Sequence, residues 1–203
     1  MYKWYQWADI CYTYLSDIPT AHTNSTLLGP GKIKWFTRRW TLQELIAPRS
    51  VEFYAADWTE IGTKFSLREE ISLLTGIDVK VLAGESPGRC NVAERLSWAA
   101  SRETTWIEDA AYCLLGLFQV HMPLVYGEGE SALTRLQEQI LKTSDDYTLL
   151  AGVTKDPARQ PPWDNLFPRD HFNGALALHL EEFRIPKASK WRYSDLSLDR
   201  LGY

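Results

Sequence analysis

The stretch that decides the fold is WFTRRWTLQELIAP, residues 35–48. Its Thr37 is a residue type that caps helices, because the side-chain oxygen can accept a hydrogen bond from an unpaired backbone N–H group. Its Pro48 cannot continue a helix, because proline lacks the backbone donor and its ring clashes with the preceding turn. The segment therefore predicts a short helix over residues 38–46.

The faces of this predicted helix differ in chemistry. At about 100° per residue, Leu42, Leu45 and Ile46 gather on one side of the helix. Trp40 and Glu44 are four residues apart, so they share the opposite side. The spacing thus predicts that a large aromatic ring and a carboxylate lie together, away from the aliphatic core.

Two interpretations of this pair remain open. In open α/β sheets ligands bind beyond the carboxyl ends of the strands, where such a helix begins, so Glu44 is a candidate functional carboxylate. In the structural alternative, Trp40 packs against neighbouring loops and Glu44 pairs with Arg38, Arg39 or Arg49. Spacing alone favours the structural alternative.

Two segments around this helix predict strands. Residues 9–15 are rich in β-branched and aromatic side chains, and residues 50–55 alternate apolar with polar ones. Residues 20–34 contain the turn-forming residues of a loop. This order indicates an α/β domain with a short, largely parallel sheet.

The region after the strands indicates helices. Asn91 with Glu94, and Thr105 with Glu108, fit the capping-box pattern, in which each side chain satisfies a backbone donor of the other. Helices are predicted over residues 67–74 before Gly76, over 92–101, over 106–117, and over a segment with Leu133, Leu136 and Ile140 on one stripe. The C-terminal half of the domain is therefore predicted to be rich in helices.

The composition changes after residue 152. Four prolines follow closely, at positions 157, 161, 162 and 168, and periodic apolar runs become rare. We expect one domain over residues 1–152, then an irregular tail or the start of a following region over residues 153–203. Alternating leucines predict one further strand over residues 175–183.

Composition excludes several classes of protein. The 203 residues carry a net charge of -4, and the basic residues are scattered, which argues against nucleic acid as a partner. Three well-separated cysteines indicate a reducing compartment. The longest apolar run, residues 110–118, is far shorter than the roughly 20 residues of a membrane span. A cytoplasmic protein without a membrane span is expected.

Other reactive side chains give little indication of a site. The four histidines, His22, His121, His171 and His179, lack metal-ligand spacing, so no metal is expected. Glu128 and Glu130 stand where a helix begins, a position that favours carboxylates electrostatically. Asp145 and Asp146 at a helix end are typical of a solvated turn.

Several segments together resemble the HET domain of fungal heterokaryon-incompatibility proteins. They are MYKWYQWADICYTYLSD, WFTRRWTLQELIAPRSVEFYAADWTEIGTK, RLSWAASRETTWIEDAAYCLLGLF and MPLVYGEGESALTRLQEQILKTSDD, which run in the family's order over residues 1–150. The resemblance implies a domain that triggers programmed cell death in nonself recognition, a form of innate immunity. As partners it implies self-association or an attached NTPase or recognition module.

HET domains are similar to TIR domains, which are flavodoxin-like α/β folds, and some TIR domains cleave NAD through a glutamate in a W-x-x-x-E element. Residues 40–44, WTLQE, have that form. The resemblance implies that Glu44 is the candidate catalytic residue of an NAD glycohydrolase and that Trp40 is a candidate wall of the NAD-binding pocket. NAD would then be a substrate, and no cofactor would be required.

The family's first two strands have no counterpart, because the sequence starts at Met1. The expectation is an incomplete flavodoxin/TIR-like sheet with an exposed edge at residues 9–15. Two alternatives to the enzyme stay open: a non-enzymatic signalling or oligomerisation module, and an inactive truncated remnant.

Overall fold

The computed structural model describes residues 1–20, 33–151 and 180–183 as a mixed α/β structure. Its strands are β1 (Cys11–Tyr14), β2 (Val51–Tyr54) and β3 (Glu60–Thr63). Its α-helices are α1 (Tyr2–Trp7), α2 (Lys34–Thr37), α3 (Thr41–Ile46), α4 (Arg68–Thr75), α5 (Val79–Leu82), α6 (Val92–Ala100), α7 (Asp109–Tyr112), α8 (Leu115–Phe118) and α9 (Ser131–Thr143). Short 3₁₀ helices occupy Pro87–Arg89, Tyr147–Ala151 and Leu180–Phe183.

The sheet has the strand order β1-β2-β3. The two expected strands are confirmed and pair in parallel, with Cys11 opposite Val51. β3 was not predicted from the sequence, and it pairs antiparallel to β2 across a bulge between Phe53 and Tyr54. The sheet is therefore half parallel and half antiparallel. Within the described residues β1 lies at an edge of the sheet, as expected.

The predicted helix over residues 38–46 is wrong in its first turn. Thr37 belongs to α2, where its hydroxyl donates to the Lys34 carbonyl. Arg38 is extended and forms a parallel bridge with Glu103, and the Arg39 N–H donates to the Glu103 carbonyl at 3.0 Å. Backbone pairing with a distant segment interrupts the helix there, and α3 begins only at Thr41.

The aliphatic side of α3 is confirmed. Leu42, Leu45 and Ile46 are 1%, 0% and 8% exposed and belong to a core that also contains Val51 and Phe53 of β2. α3 therefore packs one side against the sheet. The exposed fraction of each α3 side chain shows which of them can still contact a ligand.

The helices after the sheet follow the sequence more closely. Gly76 ends α4 in a left-handed conformation with φ of 76°, which glycine adopts without steric cost. Asn91 and Glu94 form the predicted capping box at the start of α6. Asp146 Oδ2 also accepts from the Val92 N–H at 2.7 Å. Asp146 lies in a turn, where its Oδ1 accepts from the Thr148 N–H at 3.0 Å, and through Oδ2 it also caps a distant helix.

The second predicted capping box is wrong, and the helix expected over residues 106–117 is divided into α7 and α8. Glu108 precedes α7 without a side-chain capping bond, because its carboxylate is used elsewhere, by Gly127 and Gly129. α8 ends at Gln119, which has a left-handed φ of 56°.

Helix α9 and the 3₁₀ helix Leu180–Phe183 complete the hydrophobic core of the described residues. In α9 the predicted stripe is confirmed, with Leu133, Leu136 and Ile140 at most 4% exposed. Of the strand predicted over residues 175–183, residues 175–179 lie outside the described residues, and Leu180–Phe183 forms a 3₁₀ helix that packs on α6. Most of the tail predicted over residues 153–203 also lies outside them.

Across the described ranges, none of the helices combines the length and the apolar character that crossing a bilayer requires.

Candidate functional site

Helix α3 leaves two of its side chains less covered than the others. From position 40 to position 46, Trp40 and Glu44 are half-buried and the other five residues are buried. The position of Glu44 agrees with the prediction that it avoids the aliphatic face. Trp40 packs against the hydrophobic core, so the prediction that its ring lies away from the core is wrong. The surroundings of the two side chains belong to different parts of the molecule.

Trp40 is fixed by a carboxylate from α7. Its indole Nε1 donates to Asp109 Oδ2 at 3.0 Å. The other oxygen, Oδ1, accepts from the Tyr126 hydroxyl at 3.0 Å. Asp109 is only 8% exposed, and each of its oxygens has its own donor. The carboxylate therefore joins α3 to the segment before α9.

The neighbouring carboxylate holds the same segment by its backbone. Glu108 is 3% exposed, and its Oε1 accepts from the N–H groups of Gly127 and Gly129 at 2.7 and 3.0 Å. The pKa of Glu108 is lowered first by hydrogen bonding to its own backbone N–H group and then by the bonds from Gly129 and Gly127. Gly127 and Gly129 have positive φ, 99° and 60°, so the turn that aims their N–H groups at Glu108 favours glycine.

Tyr112 and Arg135 complete this arrangement. The Tyr112 hydroxyl accepts from the Val125 N–H at 2.8 Å. Its oxygen lies 2.8 Å from both the Val125 carbonyl oxygen and Glu128 Oε1, so its single proton is donated to one or the other. Glu128 also forms an ion pair with Arg135, which lowers the pKa of Glu128. We call Trp40, Glu108, Asp109, Tyr112, Tyr126 and Glu128 the Asp109 network.

Glu44 faces α1 and the start of β1. Its carboxylate lies near the Tyr5 phenol, and the pKa of Tyr5 is raised by burial first and by Glu44 second. The pKa of the Cys11 thiol is raised by the same two causes in the same order. Because a thiolate is the nucleophilic form, Cys11 is a weak nucleophile at neutral pH.

A buried lysine lies on the other side of Cys11. Lys64 is 4% exposed, and its Nζ donates to the Pro48 carbonyl at 2.6 Å. Burial lowers the pKa of Lys64 to about 8. It is electrostatically coupled to Cys11, which is coupled in turn to Glu44. We call Tyr5, Cys11, Glu44 and Lys64 the Glu44 cluster.

The position of Tyr5 depends on a glycine of α8. A Cβ atom added to Gly116 would overlap the Tyr2 side chain, so α1 packs directly on the α8 backbone. None of the residues of α1 is buried, and its contacts are with α3 and α8. Gly116 therefore allows α1 to come close enough for Tyr5 to reach Glu44.

The chemistry available to the predicted pair follows from these neighbours. Glu44 is a half-buried carboxylate beside a phenol, which suits it to charge stabilisation near the surface. Trp40 is held by Asp109 on its indole N–H group. A cavity of about 320 Å³ in the described structure includes neither residue in its lining. Among the described side chains, no group of three or more His, Cys, Asp or Glu could hold a metal ion.

The sequence did not indicate Glu108, Asp109, Tyr5 or Lys64 as parts of these sites. A signal for Glu108 was present in the alternating glycines of residues 126–130, YGEGE, because a turn rich in glycine exposes backbone donors that need an anion. For Tyr5 and Lys64 we find no such local signal, because their neighbours are distant in sequence.

Comparison with known proteins gives one informative match. Over 163 residues the chain is 45% identical to "Vegetative incompatibility protein HET-E-1" of Podospora anserina. The match covers 77% of the chain and 12% of that protein, so the chain spans a small part of its relative. No protein-family model matches the chain, and no solved structure matches it significantly. Through its similarity to HET-E-1, the chain is related to the vegetative incompatibility proteins of fungi.

Proposed function

We propose that the chain acts in fungal vegetative incompatibility as a cell-death effector domain of the HET type. The observation that carries the proposal is the 45% identity to a vegetative incompatibility protein over most of the chain. In this proposal the domain covers residues 1–152, has an incomplete TIR-like sheet, and is controlled by self-association or by an attached NTPase or recognition module.

Induced expression in a filamentous fungus tests this role. The expected result is loss of viability in cells that produce the chain, while cells producing a core-disrupted Leu96→Asp variant survive. Leu96 is completely buried, so an unpaired carboxylate there removes the fold. If cells that produce the folded chain and cells that produce the variant are equally viable at equal protein levels, the autonomous effector role is contradicted.

For the mechanism we propose NAD cleavage with Glu44 as the catalytic carboxylate and Trp40 as a wall of the pocket. In this step the N-glycosidic bond breaks, nicotinamide leaves with the bonding electrons, and water adds to the ribose carbon and releases a proton to the solvent. A carboxylate stabilises the positive charge that develops on the ribose, as in glycoside hydrolysis. The half-exposure of Glu44 and its neutral neighbour, the Tyr5 phenol, support this assignment.

The test is NAD consumption by purified chain, with Glu44→Gln as the variant and Glu138→Gln as a matched control. Glu138 is an exposed carboxylate on α9, so its substitution changes the charge equally without touching α3. We expect wild type and Glu138→Gln to consume NAD and Glu44→Gln to lose the activity. Equal rates in all three proteins contradict the mechanism but leave the incompatibility role standing.

A second candidate function is a non-enzymatic oligomerisation module, which an exposed aromatic face favours. Tyr12 and Tyr14 of β1 are 65% and 44% exposed, and the Tyr14 ring centroid lies 4.9 Å from that of Trp58. Trp58 has a left-handed φ of 64°, which is uncommon for a bulky residue. Tyr54 joins the same aromatic group, 6.0 Å from Tyr12. This uncovered sheet face is suited to pairing with a second copy of the chain.

Sedimentation of the purified chain distinguishes this candidate from the enzyme. If β1 and its aromatic face form the contact, the chain sediments as a dimer or larger species, and Tyr12→Lys sediments as a monomer. Leu73→Lys is the control, because Leu73 is 81% exposed on α4 and lies outside the face. A monomer at all accessible concentrations contradicts the oligomerisation module.

A further inference from the structure

The feature that remains unexplained is a buried arginine beside a cavity. Arg102 is 2% exposed. Its Nε donates to the Trp98 carbonyl at 3.2 Å, and its Nη1 donates to the Arg38 carbonyl at 3.1 Å and to the Thr41 hydroxyl at 2.9 Å. Its Nη2 is buried without a hydrogen-bond partner in the described structure. Every hydrogen-bond acceptor of the Arg102 guanidinium group is therefore neutral, and its Nη2 donor has no acceptor.

A buried charge of this kind needs a counter-charge. An unpaired ion away from water is strongly destabilising on general grounds. Among the described carboxylates none is in ion-pair contact with Arg102, and Glu44 acts on it only through space. Burial lowers the pKa of Arg102 to about 10, so the guanidinium is still charged at neutral pH.

A second arginine lines the same cavity. Arg39 is 8% exposed, and its Nε donates to the Ala99 carbonyl at 3.3 Å. Arg39 and Arg102 thus bind successive carbonyls at the C-terminal end of α6, where the helix dipole favours cations. This capping role accounts for the Nε atom of each arginine. It does not account for the unsatisfied Nη2 or for the open space beside both guanidinium groups.

The cavity itself is of ligand size. Its volume of about 320 Å³ is at the lower end of the roughly 300–1,000 Å³ of small-molecule sites. Thr104 and Thr105 add hydroxyl groups to the lining, and Ala110 and Leu133 add an apolar part. The exposed carboxylates of Glu103 and Glu130 also belong to the lining. A wall with two buried guanidinium groups, an apolar part and two exposed carboxylates suits a small ligand whose anionic end lies on the arginine side.

We propose that this cavity binds the oxyanion group of a small molecule, a phosphate ester or a carboxylate, through Arg39 and Arg102. The planar guanidinium group donates in a fixed fork that matches two oxygens of either anion. The bound oxyanion supplies the counter-charge that the described residues do not provide to Arg102. The proposal is independent of NAD cleavage and of Glu44.

Calorimetric titration of the purified chain tests the site, with sodium pyrophosphate and sodium succinate as separate probes at constant ionic strength. We expect saturable binding of one of them, and the better probe identifies the ligand class. Ile107→Glu places a carboxylate at a 49% exposed position of the lining, where the fold tolerates it. We expect it to weaken binding about tenfold, as for the loss of one charged contact.

Two controls make the result specific. Leu73→Glu adds the same charge at an exposed position outside the cavity and should bind the probe like wild type. Arg39→Gln should weaken binding as Ile107→Glu does, while Arg49→Gln, at an exposed arginine outside the lining, should not. Absence of saturable binding for both probes, or equal binding by all variants, overturns the proposal. That outcome would leave Arg39 and Arg102 as structural caps of α6.

Discussion

The two ends of α3 differ in how firmly the structure holds them. At Trp40 the indole N–H group donates to Asp109, and Glu108 and Tyr112 bind the backbone of the adjoining segment. At Glu44 the carboxylate lies near the Tyr5 phenol, which belongs to a helix with no buried residue. The first end is held by several hydrogen bonds among mostly buried groups, and the second has an electrostatic neighbour near the surface.

This difference indicates that Trp40 has a structural role and that the Glu44 carboxylate is free to contact a ligand. A residue whose polar atoms are already satisfied contributes chiefly to stability, because using it for ligand binding would break existing bonds. A half-exposed carboxylate can exchange its partner with water or ligand at small cost. The geometry therefore gives Trp40 a positioning role and leaves Glu44 as the member of the pair that is open to chemistry.

The largest expected effect comes from breaking the Asp109 network. Asp109→Ala leaves the half-buried Trp40 N–H group and the Tyr126 hydroxyl without their acceptor, and unsatisfied polar groups of this kind cost about 1 to 3 kcal/mol. The free energy of unfolding, measured by urea denaturation, should fall by that amount. Asp109→Asn keeps one carbonyl oxygen and should lose less than half as much. If Asp109→Ala is as stable as wild type, the Asp109 network does not hold the Trp40 end of α3 firmly.

The next effect concerns pH at the other end of α3. Lys64 has a folded-state pKa of about 8, below the ordinary value near 10.4 in the unfolded chain. Between these values the unfolded chain binds more protons, so the free energy of unfolding rises with pH through this window. The rise, measured by urea denaturation, should be on the order of 2 kcal/mol by about pH 9.5.

Lys64→Met supplies the comparison for this pH dependence. It removes the titrating group and keeps a long apolar side chain, so the difference between the two pH profiles isolates Lys64. The variant should show a flatter profile above about pH 8, because the buried group that titrates there is gone. Parallel profiles for wild type and variant mean that Lys64 is hydrated in the folded state and that the burial argument is wrong.

How far sequence predicts this fold depends on the range of the interactions. Local signals succeeded: the Asn91–Glu94 capping box and the Gly76 stop both depend on residues within one turn of the helix end. The start of α3 failed, because Glu103 draws Arg38 and Arg39 into backbone pairing. β3 was missed because its four residues have little alternation of apolar and polar side chains.

The same limit applies to the candidate site. Helical spacing alone placed Glu44 off the aliphatic face, since that geometry depends only on positions within α3. The partners of the predicted pair could not be predicted, because Asp109 lies 69 positions from Trp40 and Tyr5 comes from the first helix. Residues that lie so far apart in the sequence leave no periodic pattern from which their contact could be predicted. The cavity beside Arg39 and Arg102 was missed for the same reason.

A smaller perturbation tests whether α1 controls the Glu44 end. Gly116→Ala places a methyl group where the Tyr2 side chain lies, and α1 must move away. We expect a loss of about 1 to 2 kcal/mol, toward the low end for overpacking because α1 is exposed. Hydrogen exchange should accelerate in α1 but not in α9. Gly88→Ala is the control, because its methyl group would meet nothing nearer than Ser86 Oγ at 3.4 Å.

The smallest expected effect on stability is that of Glu44→Gln, and it decides how activity data on this residue are interpreted. A lone partly exposed charge contributes little, so the free energy of unfolding should change by less than about 1 kcal/mol. The pKa of Tyr5, followed by nuclear magnetic resonance of labelled tyrosine and assigned with Tyr5→Phe, should move down toward its ordinary value. It should stay raised in part, because burial is the larger cause and is unchanged. A loss above about 2 kcal/mol would place Glu44 among the structural carboxylates, and a fall in NAD consumption by the same variant would then report unfolding rather than chemistry.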